Sequence, residues 1–104
     1  MSLLFEIRTP VGMVVRYARA YWELVVTQKH PALTGLDDEV RQVLATPDEV
    51  RVSRTHPAVL LFYRGLGPRW LCAVVRREDG TGFLITAYLT DALKAGETVW
   101  TRSR

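Results

Sequence analysis

From Glu49 to Leu89 the chain is cut into short apolar or alternating runs by breaks too short to hold a helix, and nothing else in the sequence constrains the fold as much. The runs are Glu49 to Arg54, Val59 to Arg64, Trp70 to Arg77 and Gly82 to Leu89. Between them lie His56-Pro57, Gly65-Leu-Gly-Pro68 and Glu78-Asp-Gly80, all of which carry turn chemistry. Successive strands joined by such short loops must run antiparallel, so this half of the chain is predicted to be a meander of about four strands.

The last run, Gly82-Phe-Leu-Ile-Thr-Ala-Tyr-Leu-Thr-Asp91, reads as a central strand. A period of two places Phe83, Ile85, Ala87 and Leu89 on a packing face and leaves Thr86 and Tyr88 side by side on the other. In the first run Val50 and Val52 share a face while Arg51 and Ser53 point the opposite way, so Arg51 joins Thr86 and Tyr88 if the valines face the core. The middle strands, Val59-Leu-Leu-Phe-Tyr63 and Leu71-Cys-Ala-Val-Val75, are apolar on both faces, and alternation does not say where Tyr63 points. Arg54, Arg64, Arg76 and Arg77 fall near strand ends, where a basic residue is most often a solvated edge charge.

The first half is helical in pattern with one ambiguity. Leu3 to Ile7 and Val11 to Val15 are apolar runs around Arg8-Thr-Pro-Val-Gly12, which reads as a small hairpin. Yet Val14, Tyr17, Ala18, Tyr21, Trp22, Leu24 and Val25 recur at intervals of three and four, which reads as a helix beginning near Val14. Pro31 ends that helix and pushes His30 toward an extended conformation at its C-terminus, where the helix dipole favours a protonated imidazole. Asp37, Asp38 and Glu39 mark the start of a second helix, buried through Leu36, Val40, Val43 and Leu44 and ended by Thr46-Pro47. The fold expected is therefore α+β, with N-terminal helices packed on one face of a roughly four-stranded antiparallel meander. Asp91 to Gly96 reads as a turn or short helix before Val99-Trp100, and Arg102 to Arg104 as a frayed tail.

At 104 residues and 48% hydrophobic, the chain suits one domain, residues 1–104, with a core of its own. No signal-peptide core or membrane-length apolar run is present, so a cytoplasmic protein without a membrane partner is expected. The single cysteine, Cys72, sits in an apolar run and reads as a small core residue. A net charge of +3, carried by 12 Arg and 2 Lys, favours an anionic partner, although a GC-rich genome produces the same arginine skew. No phosphate-binding glycine loop, nucleophile elbow or metal-ligand spacing among His30, His56 and Cys72 is found, and no cofactor or metal is expected.

The order Lys29-His-Pro31, a helix leading to Thr46-Pro-Asp-Glu-Val-Arg51, Leu61-Phe-Tyr63, Leu71-Cys-Ala-Val-Val75 and Gly82-Phe-Leu-Ile-Thr-Ala-Tyr88 with Lys94-Ala-Gly96 resembles the small phage- and toxin-associated proteins of the barnase, EndoU, colicin and RelE nuclease group. The resemblance spans roughly residues 15 to 100 and rests on order and spacing. It implies helices followed by a four-stranded antiparallel sheet, and metal-independent cleavage of RNA. By position it implies His30 as the base that deprotonates an RNA 2′-hydroxyl, Arg51 or Arg54 as the group that stabilises the phosphorane, and Thr86 and Tyr88 as phosphate-orienting hydroxyls. Lys29, Tyr63 and Arg64 would bind substrate, Tyr63 by stacking on an exposed base. The partners implied are RNA and a cognate immunity protein or antitoxin. The competing expectation is a non-catalytic nucleic-acid- or protein-binding domain of the same fold.

Overall fold

The computed structural model describes residues 4–94 and 96–102. The chain opens with a hairpin of β1 (Leu4–Arg8) and β2 (Val14–Ala18). Its turn is closed by Thr9, whose backbone N–H and hydroxyl both donate to the Met13 carbonyl at 3.0 and 2.7 Å, with Gly12 supplying a φ of +76°. Helix α1 (Arg19–Leu24) follows directly and loosens into a π turn, Val25–Lys29, closed by the His30 N–H donating to the Val25 carbonyl at 2.9 Å. Pro31 cannot continue that ladder and starts a single 3₁₀ turn, Pro31–Leu33. Helix α2 (Asp37–Ala45) carries its three acids in the first turn and buries Val40, Val43 and Leu44.

The remaining strands are β3 (Glu49–Ser53), β4 (Val59–Leu66), β5 (Arg69–Glu78), β6 (Thr81–Thr90) and β7 (Gly96–Thr101). All strands form one mixed sheet in the order β1-β2-β6-β5-β4-β3-β7. Every neighbouring pair is antiparallel except β2 and β6, which run parallel through Val14–Arg16 against Thr81–Phe83.

The four central strands lie where alternation and turn chemistry put them, but the architecture expected around them is overturned. The fold is not N-terminal helices on a four-stranded antiparallel meander: the described residues form a seven-stranded mixed sheet with two short α-helices, inserted between β2 and β3. Period two wins over the helical pattern at the N-terminus because Val15 and Tyr17, at 0% and 5% exposure, pack inward from a strand, with Met13 buried just before it, and the helix begins only at Arg19. The other added strand, β7, follows the expected turn and takes up Val99-Trp100, which the sequence pattern assigns to no element. Of the expected tail, Arg102 is anchored and residues 103–104 lie outside the described residues, as do Leu3 and Ala95. The anchor is Asp48, which accepts the Gly65 N–H at 2.8 Å, pairs with the Arg102 guanidinium, and gives its backbone carbonyl to the Arg102 N–H at 3.0 Å. Burial raises the Asp48 pKa, but the Gly65 N–H and Arg102 outweigh it and hold the carboxyl below its ordinary range.

The helices cover one face of the sheet. Trp22, Val25, Leu33, Val40, Val43 and Leu44 meet Val50, Leu60, Phe62, Leu71, Val75 and Leu84 in one continuous core. The hairpin is bound to α2 by Arg41, whose guanidinium lies 4.9 Å over the Phe5 ring, itself 5.1 Å from Tyr17. Among the described residues no helix is long and apolar enough to cross a membrane.

Strand β7 depends on a glycine. A Cβ at Gly96 would run into the Val52 carbonyl oxygen, a backbone atom of β3 that cannot swing aside. Gly96→Ala should therefore peel β7 from β3 and lower stability by about 1–3 kcal/mol, the usual scale of an overpacked site. Denaturant unfolding reads this directly, and an unchanged midpoint would show that β7 is not held in this register.

Candidate functional site

Among the described residues the second face of the sheet carries no helix, and it divides into two parts. Over one half, the connection from β6 to β7 folds back as a strap, Asp91–Lys94. Leu93 packs there with the buried Leu61, Tyr63 and Cys72 and with Val59, Trp70, Val74 and Tyr88. The Lys94 N–H donates to the Tyr63 hydroxyl at 3.0 Å, and Arg51 Nη1 donates to the Lys94 carbonyl at 2.8 Å. Arg51 also pairs with Glu49, which accepts the Thr98 hydroxyl at 2.8 Å. Burial raises the Glu49 pKa, yet the bonds from Arg51 and Thr98 prevail and lower it overall.

His30 reaches this half because β2 parts from β6 after Phe83. The edge of β6 beyond that point is taken by the helical segment, and the Tyr21 hydroxyl donates to the Ile85 carbonyl. His30 ends half-buried with its ring centroid 6.4 Å from that of Tyr88, while Lys94 Nζ lies 5.1 Å from the same ring. The structure thus brings His30, Arg51, Tyr63, Thr86 and Tyr88 to one region, with Arg54 at its margin. The region is closed. Thr86 Oγ1 and Tyr88 Oη are buried without a hydrogen-bond partner among the described residues. Burial, then the neighbouring Cys72 and Tyr63, drive the Tyr88 pKa far above the ordinary phenol value. Burial pushes the Cys72 thiol up to about 11, against smaller opposing effects from Tyr88, Tyr63 and Lys94.

Two other expected site residues lie elsewhere. Arg64 points to the helical face, where Nη1 donates to the Thr46 carbonyl and hydroxyl at 2.5 and 2.6 Å and so closes the end of α2. Lys29 is exposed in the last turn of the π segment.

The rest of the face is more open. At the margin of the strap, Arg54 and Lys94 flank a groove that shares Val59, Leu61 and Val74 with the cluster under Leu93 and is bordered by Ser53 and Thr55. Beyond it the strand register aligns Val59, Arg76, Phe83 and Arg16 on β4, β5, β6 and β2, and Phe83 is 45% exposed. Its exposure corrects the expected packing face. A bulge at Ile85, where the β5 partners shift from Val74↔Thr86 to Val75↔Leu84, reverses the alternation so that Leu84 enters the core and Phe83 leaves it. The one signal of this in the sequence is Leu84, which strict alternation strands on the hydroxyl face beside Thr86 and Tyr88.

Among the described residues no three His, Cys, Asp or Glu side chains gather at metal-binding distance. No family model, curated protein or solved structure matches the chain. The functional reading therefore rests on the chemistry of this face alone.

The buried thiol sets a pH dependence. Cys72 has its folded pKa raised from 9.0 to about 11, so the fold favours the neutral thiol; its contribution is complete below pH 9 and is lost as pH rises toward 11. Tyr88 acts in the same direction at higher pH. Urea unfolding at pH 8 and pH 10.5 should show a loss on the order of 2 kcal/mol from Cys72, with a shallower pH dependence in Cys72→Ala. Identical pH slopes in the two proteins would mean that the thiol is not desolvated as described.

Proposed function

We propose that this chain is a non-catalytic binding domain for nucleic acid, which seats backbone phosphates on the open half of the sheet between Arg54 and Lys94. The observation that carries this reading is the distribution of charge. Arg16, Arg19, Arg41, Arg51, Arg69, Arg76 and Arg102 each sit beside a carboxylate; of the cations with no ion pair among the described residues, which also include Arg8, Lys29, Arg64 and Arg77, Arg54 and Lys94 are the two that line this groove, Lys94 with its ammonium against the Tyr88 ring. Glu97 lies beyond Arg54, lining the adjoining groove and limiting how far the positive potential extends. A cation pair over an apolar floor suits a phosphate with its attached sugar. The overall charge of +3 adds long-range attraction.

Catalysis would need the same phosphate to meet His30, Arg51, Thr86 and Tyr88 together. Arg51 is held by Glu49 and the Lys94 carbonyl, and Leu93 packs over the phenols. These contacts favour binding over turnover.

A second reading, the metal-independent ribonuclease with its immunity protein or antitoxin, draws on one observation: the approach of His30 to Tyr88 at 6.4 Å. It requires the strap to lift so that His30 can take the 2′-hydroxyl proton. Incubation of single-stranded RNA with micromolar protein in EDTA separates the two. Intact RNA is the expected result; products ending in 2′,3′-cyclic phosphate that fall by about 10²-fold in His30→Ala would replace the binding reading with the catalytic one.

For binding, log K against log salt should have a slope on the order of −2 to −4 with single-stranded RNA, given about 0.7 per phosphate contact. Arg54→Ala should flatten it by somewhat less than one. Titrating labelled RNA at several salt concentrations gives the slopes. Affinity that ignores salt would remove nucleic acid as the partner.

A further inference from the structure

We infer that Phe83 is a base-stacking platform, which makes the open half of the sheet selective for single-stranded nucleic acid. This rests on the nucleic-acid reading above and goes beyond it by adding a contact to the base. Phe83 stands on β6, third from one edge of the sheet, so its exposure is not the fraying of an edge strand. Its neighbours on the same face are fixed by register: Arg16 on the parallel side and Arg76 on the antiparallel side. Both arginines pair with carboxylates, Glu6 at 3.0 Å and Glu78 at 3.3 Å, with about half of each side chain in water. Exposed pairs of this kind are worth little, about 0–1 kcal/mol, so either guanidinium can exchange its carboxylate for a phosphate or lie along a base plane.

The row therefore offers an aromatic face for one base with a cation on either flank for the backbone. It continues through Val59 into the groove of Arg54 and Lys94, where the following phosphates would run. A base can use Phe83 only when it is unpaired and turned out of a helix. Duplex bases are already stacked on one another and present only their edges, whereas every base of a single strand has a free π-face. The unpaired Arg54 and Lys94 at one end of the row and the exposed aromatic within it favour a single strand over an apolar protein partner, whose docking would bury the Arg16–Glu6 and Arg76–Glu78 pairs at a desolvation cost.

The test compares the intact chain with Phe83→Leu, which keeps an apolar side chain at a half-exposed site, and with Phe83→Trp, which keeps an aromatic one. The probes are a single-stranded RNA decamer, the corresponding duplex, and inorganic polyphosphate, which has the charge but no bases. Phe83→Leu should weaken single-strand binding by about tenfold with no change in salt slope, leave polyphosphate affinity intact, and be rescued by Phe83→Trp. The single strand should outcompete the duplex in the intact protein and lose that advantage in Phe83→Leu. Equal RNA affinity in wild type and Phe83→Leu would overturn the stacking role, while salt-dependent polyphosphate binding sensitive to Arg54→Ala would leave the electrostatic reading standing. Failure to bind either probe would remove both. Loss of polyphosphate binding along with RNA in Phe83→Leu, or a concentration-dependent dimer that Phe83→Leu abolishes, would show that the residue does not read bases.

Discussion

The structure turns on how briefly β2 stays with β6. Val14–Arg16 pair with Thr81–Phe83, and then β2 ends while β6 continues to Thr90. A strand edge left open in the middle of a sheet exposes unpaired backbone groups and must be covered. The helical segment from Arg19 to Leu33 does this, sealed by the Tyr21 hydroxyl on the Ile85 carbonyl and by Trp22, Val25 and Leu33 in the core. That detour carries His30 around the edge to the face where Tyr88 lies, and it leads into α2 on the opposite face, where Arg41 lies over Phe5 of the hairpin.

Coverage on the helix-free face is uneven for a related reason. The strap from Asp91 to Lys94 returns the chain toward β3, across the four-strand meander, so that β7 can pair there, and it crosses the central strands on the way. What it crosses becomes a second, smaller core around Tyr63 and Cys72, with hydroxyls whose water has been removed and not fully replaced. What it misses remains a solvated sheet surface. Under the strap the Thr86 and Tyr88 hydroxyl oxygens are shut off from water, while His30 keeps partial exposure and Phe83, beyond the strap, stays in solvent.

Much of the meander was legible because each of its strands is bounded by residues with a mechanism: Pro57, Pro68 and Gly80 fix turns, and the intervening runs are rich in Val, Leu and aromatics. The convergence of Arg51, Thr86 and Tyr88 on one face was legible from period two. Two kinds of feature were not. At Val14–Ala18 the residues satisfy both periods, and only pairing with β1 and β6, a long-range event, decides between them. At Gly96–Thr101 a bulge at Val99 breaks the alternation that would have announced β7. Arg64 was misplaced for a simpler reason. In a strand apolar on both faces its direction follows from the phase of Phe62 and Leu60, which the pattern does not supply.

The bulge in β6 shows that the outward turn of Phe83 is built into the fold. In unbroken alternation Phe83 and Ile85 would join Ala87 on the helix face, and Gly82 and Leu84 would face solvent, an arrangement that buries more aromatic surface and needs no irregularity in the ladder. The observed register instead brings Gly82 against Met13 and Val75, where a Cβ would lie 2.9 Å from the Met13 sulfur and 2.7 Å from Val75 Cγ1, so a side chain at this position would crowd the core. It also leaves Ile85 without a ladder partner and recruits Tyr21 from a helix to satisfy its carbonyl. A glycine, a bulge and a long-range hydroxyl bond are thus coordinated around one phenylalanine, and each loses its local justification if Phe83 is returned to the core. Three departures from regular structure meet at this end of β6, and together they set the side of the sheet on which Phe83 stands.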